Sequence, residues 1–228
     1  LTVERTPFPE AGHAVADRTA VVVLSWNDLP LLRATLETFR QFNGSHDMYV
    51  VDNGSVDGTG AYLENDGYRV IHHEQNLGVF EGTMSGWTRA VADGHEFILN
   101  LQSDFPSLCA VPFAQLEGYL DRNPDVGFIR LNRRKHRPVN SVTHDPVIFQ
   151  PPEAVGEGFE VSKYNYHMAF HPYLFRASLV EHLRQAPVKS ERGLMCAYEG
   201  LNLWGAKLRP PCFETLPCNR HGTPGWTP

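Results

Sequence analysis

Polar and acidic side chains gather wherever an apolar run of this chain ends. Ser25-Trp26-Asn27 closes AVVVLS, Asp52-Asn53 closes MYVV, His72-His73 closes YRVI, and Gln102-Ser103-Asp104 closes FILNL. A carboxylate at Asp52 can accept an N–H from a nucleobase edge, while Asn53-Gly54 permits a tight turn and Ser55 or Asp57 can cap the helix that follows. Asp104 is a hard oxygen donor of the kind Mg²⁺ or Mn²⁺ prefers. Arg133, Arg134 and Arg137, with Lys135 and His136 between them, form a basic run that is either a solvated loop or an anion site. KYNYHMAFHPYLFR concentrates Tyr164, Tyr166, His167, Phe170, His171 and Tyr173, rings that stack on a flat ligand or fill a core. Trp87, at helical spacing from Met84 and Val91, reads as core. Cys212, Cys218 and His221 lie close in sequence, but there is no CxxC pair, so a structural zinc would need a ligand from elsewhere.

The elements that must position these residues alternate. Apolar periodicity predicts strands at Ala20–Ser25, Met48–Asp52, Tyr68–His72 and Phe97–Leu101, with helices at Pro30–Phe42, Gly58–Asn65 and Gly78–Asp93 between them. That order implies an α/β fold with a mostly parallel sheet and helices on both faces. The runs VVVL and MYVV have the composition of strands buried on both sides. Right-handed crossovers bring every parallel strand's carboxyl end to one edge, where open α/β sheets bind ligands, so the four polar strand ends converge on one crevice. After Asp104 the rhythm weakens. A helix is expected at Phe113–Arg122, a strand at Val126–Leu131, a possible strand at Phe159–Tyr164, and helices at Leu174–Arg184 and about Arg192–Lys207. Residues 1–18 lack periodicity and read as an arm, 19–106 as a ligand-binding half, and 107–228 as a second half of the same domain.

The chain has 228 residues, 20 basic and 26 acidic, for a formal charge of −6. That balance disfavours a domain built to coat nucleic acid. With 42% hydrophobic and 20% charged residues, fibrous and wholly disordered classes are excluded. No apolar stretch reaches the roughly 18–20 residues that cross a bilayer. The first residue is Leu1, so a leader or anchor upstream stays open. Four irregularly spaced cysteines read as thiols, which points to a cytoplasmic setting. Neither GxxxxGK[ST] nor GxGxxG occurs, and LSWND stands where a nucleotidyltransferase would carry a basic, Gly-rich loop.

VVVLSWND, DNGSVDGT, NLGVFEGTMSGW and FILNLQSD, in that order and spacing, resemble the family 2 glycosyltransferases of the GT-A (Rossmann-like) fold. The resemblance covers about residues 19–105 and is loose beyond. It implies a nucleotide-diphospho-sugar donor held by Ser25, Asn27, Asp52, Asn53, Gln102 and Ser103. It also implies a divalent cation, Mn²⁺ or Mg²⁺, on the last Asp of a DXD motif; here the motif reads Gln102-Ser103-Asp104, leaving only Asp104 as a charged ligand. His221 resembles the His that completes the metal site in some relatives. Inverting members use a carboxylate base from an ED pair before a helix. YEGLNLW is read as the matching segment, with Glu199 for the Glu, Gly200 for the Asp and Asp145 in reserve.

The function implied is inverting transfer of a hexosyl or pentosyl group to a hydroxyl acceptor, with the second half binding the acceptor. Arg133, Arg134, His167 and His171 are its candidate acceptor or phosphate contacts. Two alternatives stand beside it. Gln102 and Gly200, at positions the family fills with Asp, suit a nucleotide-sugar-binding protein without catalysis. The basic run suits a transferase whose acceptor is modified nucleic acid.

Overall fold

The strands TAVVVLS and MYVVD have almost no polar side chains to offer water, and each is covered on both faces. In the computed structural model, which describes residues 17–133, 139–140, 142–156 and 158–215, β1 (Thr19–Ser25) pairs in parallel with β2 (Met48–Asp52) and with β4 (Phe97–Gln102), and β2 pairs with β3 (Arg69–His72). The connecting helices are α1 (Leu29–Asn43), α2 (Thr59–Asn65) and α3 (Gly78–Ala92). These elements follow the sequence-based expectation within a few residues at each end.

The second half extends the same sheet. It contains α4 (Phe113–Arg122), β5 (Val126–Arg130), β6 (Glu153–Gly156), β7 (Phe159–Tyr164), β8 (Tyr173–Arg176), α5 (Val180–Arg184), α6 (Glu191–Glu199) and β9 (Trp204–Arg209). The nine strands lie in the order β3-β2-β1-β4-β8-β5-β9-β7-β6. Every strand except β7 and β8 runs the same way, so the sheet is mostly parallel.

Two expectations fail here. The expected helix Leu174–Arg184 opens as β8, because Tyr173 and Phe175 face one core and Leu174 the other, wedged between β4 and β5. The expected helix through Lys207 ends at Glu199, and WGAKLR becomes β9, with Ala206 and Leu208 buried in one core between β5 and β7. Both segments fit a helical period as well as an alternating one; pairing partners far away in sequence selected the strand.

Helices cover both faces. Phe80, Met84 and Trp87 of α3 pack with Val180, Leu183, Leu194 and Tyr198 of α5 and α6 on one side. Leu32, Leu36 and Phe39 of α1 pack with Leu63, Leu116 and Leu120 of α2 and α4 on the other. Trp87 is fully buried, as expected, and its Nε1 donates to Asn100 Oδ1 at 3.0 Å. Asn100 Nδ2 donates in turn to the His171 carbonyl at 3.1 Å, tying the aromatic segment to β4. Among the described residues no helix is long and apolar enough to cross a membrane.

Candidate donor crevice at the carboxyl edge of the sheet

Strand register puts Ser25, Asp52 and His72 side by side across β1, β2 and β3, at their carboxyl ends. Asp52 is 4% exposed, its Oδ1 accepting from the Ser55 amide at 3.0 Å and its Oδ2 facing His72 Nδ1 at 3.3 Å. A carboxylate offers about four acceptor positions, so both oxygens keep capacity for a ligand. The Ser25 hydroxyl, in the same row, is buried and has no hydrogen-bond partner. A buried hydroxyl without a partner is costly unless a ligand completes it.

The two neighbouring turns are strapped together. Asn27 N donates to Ser55 Oγ at 3.0 Å, and Asn27 Oδ1 accepts from Val56 N at 2.7 Å. Asp57 caps in both directions, accepting from Leu29 N at 2.9 Å and Thr59 N at 3.1 Å. Burial raises its carboxyl, and the hydrogen bonds from Thr59 and Leu29 outweigh that, leaving it lowered. Asn53 is a clamp: its Oδ1 accepts from Leu77 N and its Nδ2 donates to Asn76 Oδ1 and the Gly78 carbonyl, fixing the start of α3. Gly54 makes this turn possible at φ 78, since a Cβ there would lie 2.5 Å from the Gln75 carbonyl carbon.

At the end of β4, Gln102 and Asp104 are half-buried, while Ser103 is buried and its carbonyl accepts from Thr35 Oγ1 at 2.6 Å. Sequence reasoning overlooked Asp28, in the SWND turn after β1. Its carboxyl is pushed up to about 6, first by burial and then by the carboxylates of Asp104 and Asp57. Three acids from three strand ends therefore crowd one spot; the signal in the sequence was the second polar residue of SWND, legible only once β1 and β4 are neighbours. Asp28 and Asp104 offer oxygen donors of the type Mg²⁺ or Mn²⁺ takes together with phosphate oxygens and water. Among the described residues no group of three or more His, Cys, Asp or Glu side chains forms a site of protein ligands alone. His221 and Cys218 lie outside the described residues.

The crowding carries a sign. A carboxyl raised in the folded state binds its proton more tightly there than in the unfolded chain, so folding is favoured below about pH 4–6 and loses that margin as pH rises through about 6. Asp28→Asn is therefore expected to stabilise the metal-free protein by about 1 kcal/mol at pH 7.5, after discounting for its partial exposure. The gain should vanish at pH 4; thermal melts of both proteins at the two pH values measure it, and an equal gain at both would refute it.

The second-half candidates separate. His171 reaches the crevice side, its ring 6.2 Å from that of Phe105, which follows Asp104. His167 is 1% exposed and belongs to another cluster, with Nδ1 3.1 Å from Asn140 Oδ1 and 3.7 Å from Glu199 Oε1. Asn140 Nδ2 donates to Glu199 at 2.7 Å, and the contacts of His167 and Asn140 hold the Glu199 carboxyl low against the opposing effect of burial. Glu199 is the last residue of α6, not a helix-start residue. The adjacent Tyr198 donates to the carbonyl of Trp204, where β9 begins, so this end of α6 lies at the amino edge of the sheet, opposite the crevice. The helix-start acid is Glu191, capped by Ser190 Oγ accepting from Gly193 N at 3.2 Å, with Arg192 in second place. Glu191 is exposed and its Oε1 accepts from Phe170 N at 3.4 Å, one residue from His171. Asp145 lies in an exposed turn at 139–146. Arg133 is exposed and its amide donates to the Phe213 carbonyl, while Arg134 and the rest of the basic run fall outside the described residues.

A mostly parallel sheet with a polar crevice at the carboxyl edge, a strand-end carboxylate on β2 and an acid after β4 is the arrangement in which open α/β sheets bind ligands. The comparisons agree. Residues 20–106 match the model of glycosyl transferase family 2. The crystal structure of S. aureus TarS 1–349 in complex with UDP-GlcNAc superposes with a TM-score of 0.61 at 16% identity, over 92% of this chain and 61% of that one. The UDP complex of TarS 1–349 gives 0.58 at 16% identity over 86% and 60%. GalNAc-T7 with UDP, GalNAc and Mn²⁺ gives 0.60 at 11% identity over 92% and 45%. The chain thus spans about three fifths of the TarS fragment or less than half of GalNAc-T7. No curated protein sequence matches. Residues 20–106 thus resemble family 2 glycosyltransferases, and the chain has the GT-A-type fold of these solved structures.

Proposed function

We propose that the chain transfers a sugar from a nucleoside-diphosphate donor to a hydroxyl acceptor with inversion at the anomeric carbon. The observation that carries this is the convergence of Ser25, Asp52, Asp28 and Asp104 on one strand edge. Asp52 and the partnerless Ser25 hydroxyl would meet the base and ribose. Asn27 and Asn53, with Ser103, hold the turns that frame them. Asp104, with Asp28, would hold a divalent cation, Mn²⁺ or Mg²⁺, whose contribution when bound is to neutralise charge on the leaving diphosphate.

The acceptor proton needs a base on the crevice side. Glu191 starts α6 beside Phe170 and His171, whereas Glu199 is engaged by Asn140 and His167 at the opposite edge, so the role passes to Glu191. The free thiols Cys109, Cys196 and Cys212 suit the cytoplasmic setting we assign.

A second reading, donor binding without transfer, is favoured by Gln102 and Gly200, at positions that the resembling family fills with Asp. Calorimetric titration of nucleoside diphosphates and their sugars, with Mn²⁺ and with chelator, is expected to show one nucleotide binding in a metal-dependent way. Binding of none under either condition would refute both readings; metal-dependent binding with neither transfer nor slow donor hydrolysis would select the second.

A further inference from the structure

Cys109 lies in the segment that follows Asp104, and Cys212 in the segment that follows β9. An antiparallel bridge between Ser107 and Phe213 lays the two segments side by side, with the Leu108 amide donating to the Cys212 carbonyl at 2.7 Å and the Glu214 amide to the Pro106 carbonyl at 3.3 Å. Cys212 thereby straddles Cys109: its carbonyl holds Leu108 on one side, and its Sγ donates to the Ala110 carbonyl at 3.7 Å on the other. The two thiols are in hydrogen-bond contact with each other. They differ in access. Cys212 is fully buried in the core that α1, α2 and α4 cover, whereas Cys109 packs against that core and remains partly exposed. Burial and then the Cys109 thiol push the Cys212 thiol up, which holds it as S–H. Cys196 sits apart from both, exposed on α6, which packs on the opposite face of the sheet.

We propose that Cys109 and Cys212 are a redox-sensitive pair that closes reversibly to a disulfide, a modification independent of sugar transfer. The co-reactant is a small disulfide, RSSR. The Cys109 thiolate, reachable from solvent, attacks one sulfur of RSSR, forming the mixed disulfide Cys109–S–S–R and releasing RS⁻, which takes up the proton Cys109 gave. Cys212 then gives up its own proton and attacks the Cys109 sulfur, expelling a second RS⁻ that takes that proton. Two protein thiols are oxidised and RSSR is reduced to two RSH. Reagent has to reach only Cys109, because the target of Cys212 is its neighbour. The closed form fastens the segment after Asp104 to the exit of β9 and, through the Cys212 amide donating to the Leu131 carbonyl at 2.8 Å, to the end of β5. The bond closes a loop of about 100 residues, long enough for a cross-link to restrict the unfolded chain strongly. In a reducing compartment the pair rests as thiols, and it closes when the ratio of RSSR to RSH rises.

The test incubates the full chain with oxidised glutathione, alkylates it in denaturant without reduction, and maps the cysteines by mass spectrometry. The expected product is one disulfide joining Cys109 to Cys212, with a melting temperature about 5–10 °C above that of the reduced protein. Dithiothreitol should return both thiols and the lower melting temperature. Cys212→Ala should keep glutathione on Cys109 with no internal bond, since the resolving thiol is gone, and Cys109→Ser should leave Cys212 a thiol and remove the rise in melting temperature. If Cys212→Ala fails to fold, Cys109→Ser, at the partly exposed position, carries the result. Cys109 and Cys212 both alkylated after oxidation, glutathione retained on Cys109 of the unaltered protein, a disulfide from either residue to Cys196 or Cys218, or a closed form that melts no higher than the reduced protein would each overturn the proposal.

Discussion

Asp104→Ala is expected to lower sugar transfer by about 10²–10³-fold and to make nucleotide binding indifferent to Mn²⁺. The argument runs from the sheet. Asp104 is carried by the turn after β4, whose position is set by Ser103: its amide donates to Leu24 O and its carbonyl accepts from Thr35 Oγ1. The turn is thereby held against β1 and α1, and the substitution should remove a charge without moving the backbone. Asp28, left behind, would lose the charge that raises it most after burial, so its carboxyl should fall from about 6. A loss of transfer with a falling Asp28 pKa, read by carboxyl NMR, assigns the effect to charge. Wild-type transfer in the variant would remove Asp104 from the mechanism.

Glu191→Gln is expected to reduce kcat by about 10²–10⁴-fold while leaving donor affinity unchanged, the pattern of a lost base rather than a lost binding contact. The contrasting variant is Glu199→Gln. Glu199 is held low in the folded state, so its ionised form contributes stability above the ordinary glutamate range, and that contribution disappears as pH falls through the folded value. With the side chain about a quarter exposed, the effect at pH 7 is about 1 kcal/mol. Glu199→Gln should therefore lower the melting temperature modestly, less so at low pH, and leave the pH profile of kcat in place. A collapse of kcat in Glu199→Gln with Glu191→Gln still active would reverse the assignment.

Legibility differed along the chain for reasons of distance. Between Thr19 and Gln102 each strand returns to its neighbour through one helix, and continuous apolar runs such as VVVL can only be strands covered on both faces. Asp52, Asp104 and the capping role of Asp57 could be read from their place at strand ends. Beyond Asp104 the same reasoning misplaced two strands and set Glu199 at the wrong end of its helix. YLFR and WGAKLR are ambiguous in isolation, and β8 is a strand because it fills the gap between β4 and β5, while β9 is one because β5 and β7 flank it.

The amino-acid sequence by itself determined the parallel half, its carboxyl-edge crevice and the carboxylates at Asp52 and Asp104, because local periodicity and right-handed crossovers leave little choice. Only the tertiary structure decided which residues join them. Asp28 meets Asp104 through the pairing of β1 with β4, Glu191 starts α6 beside Phe170 while Glu199 ends it, and Arg130 lies beside Lys207 through the pairing of β5 with β9. Contacts between residues far apart in the chain follow from how the sheet is ordered, which local propensity does not encode.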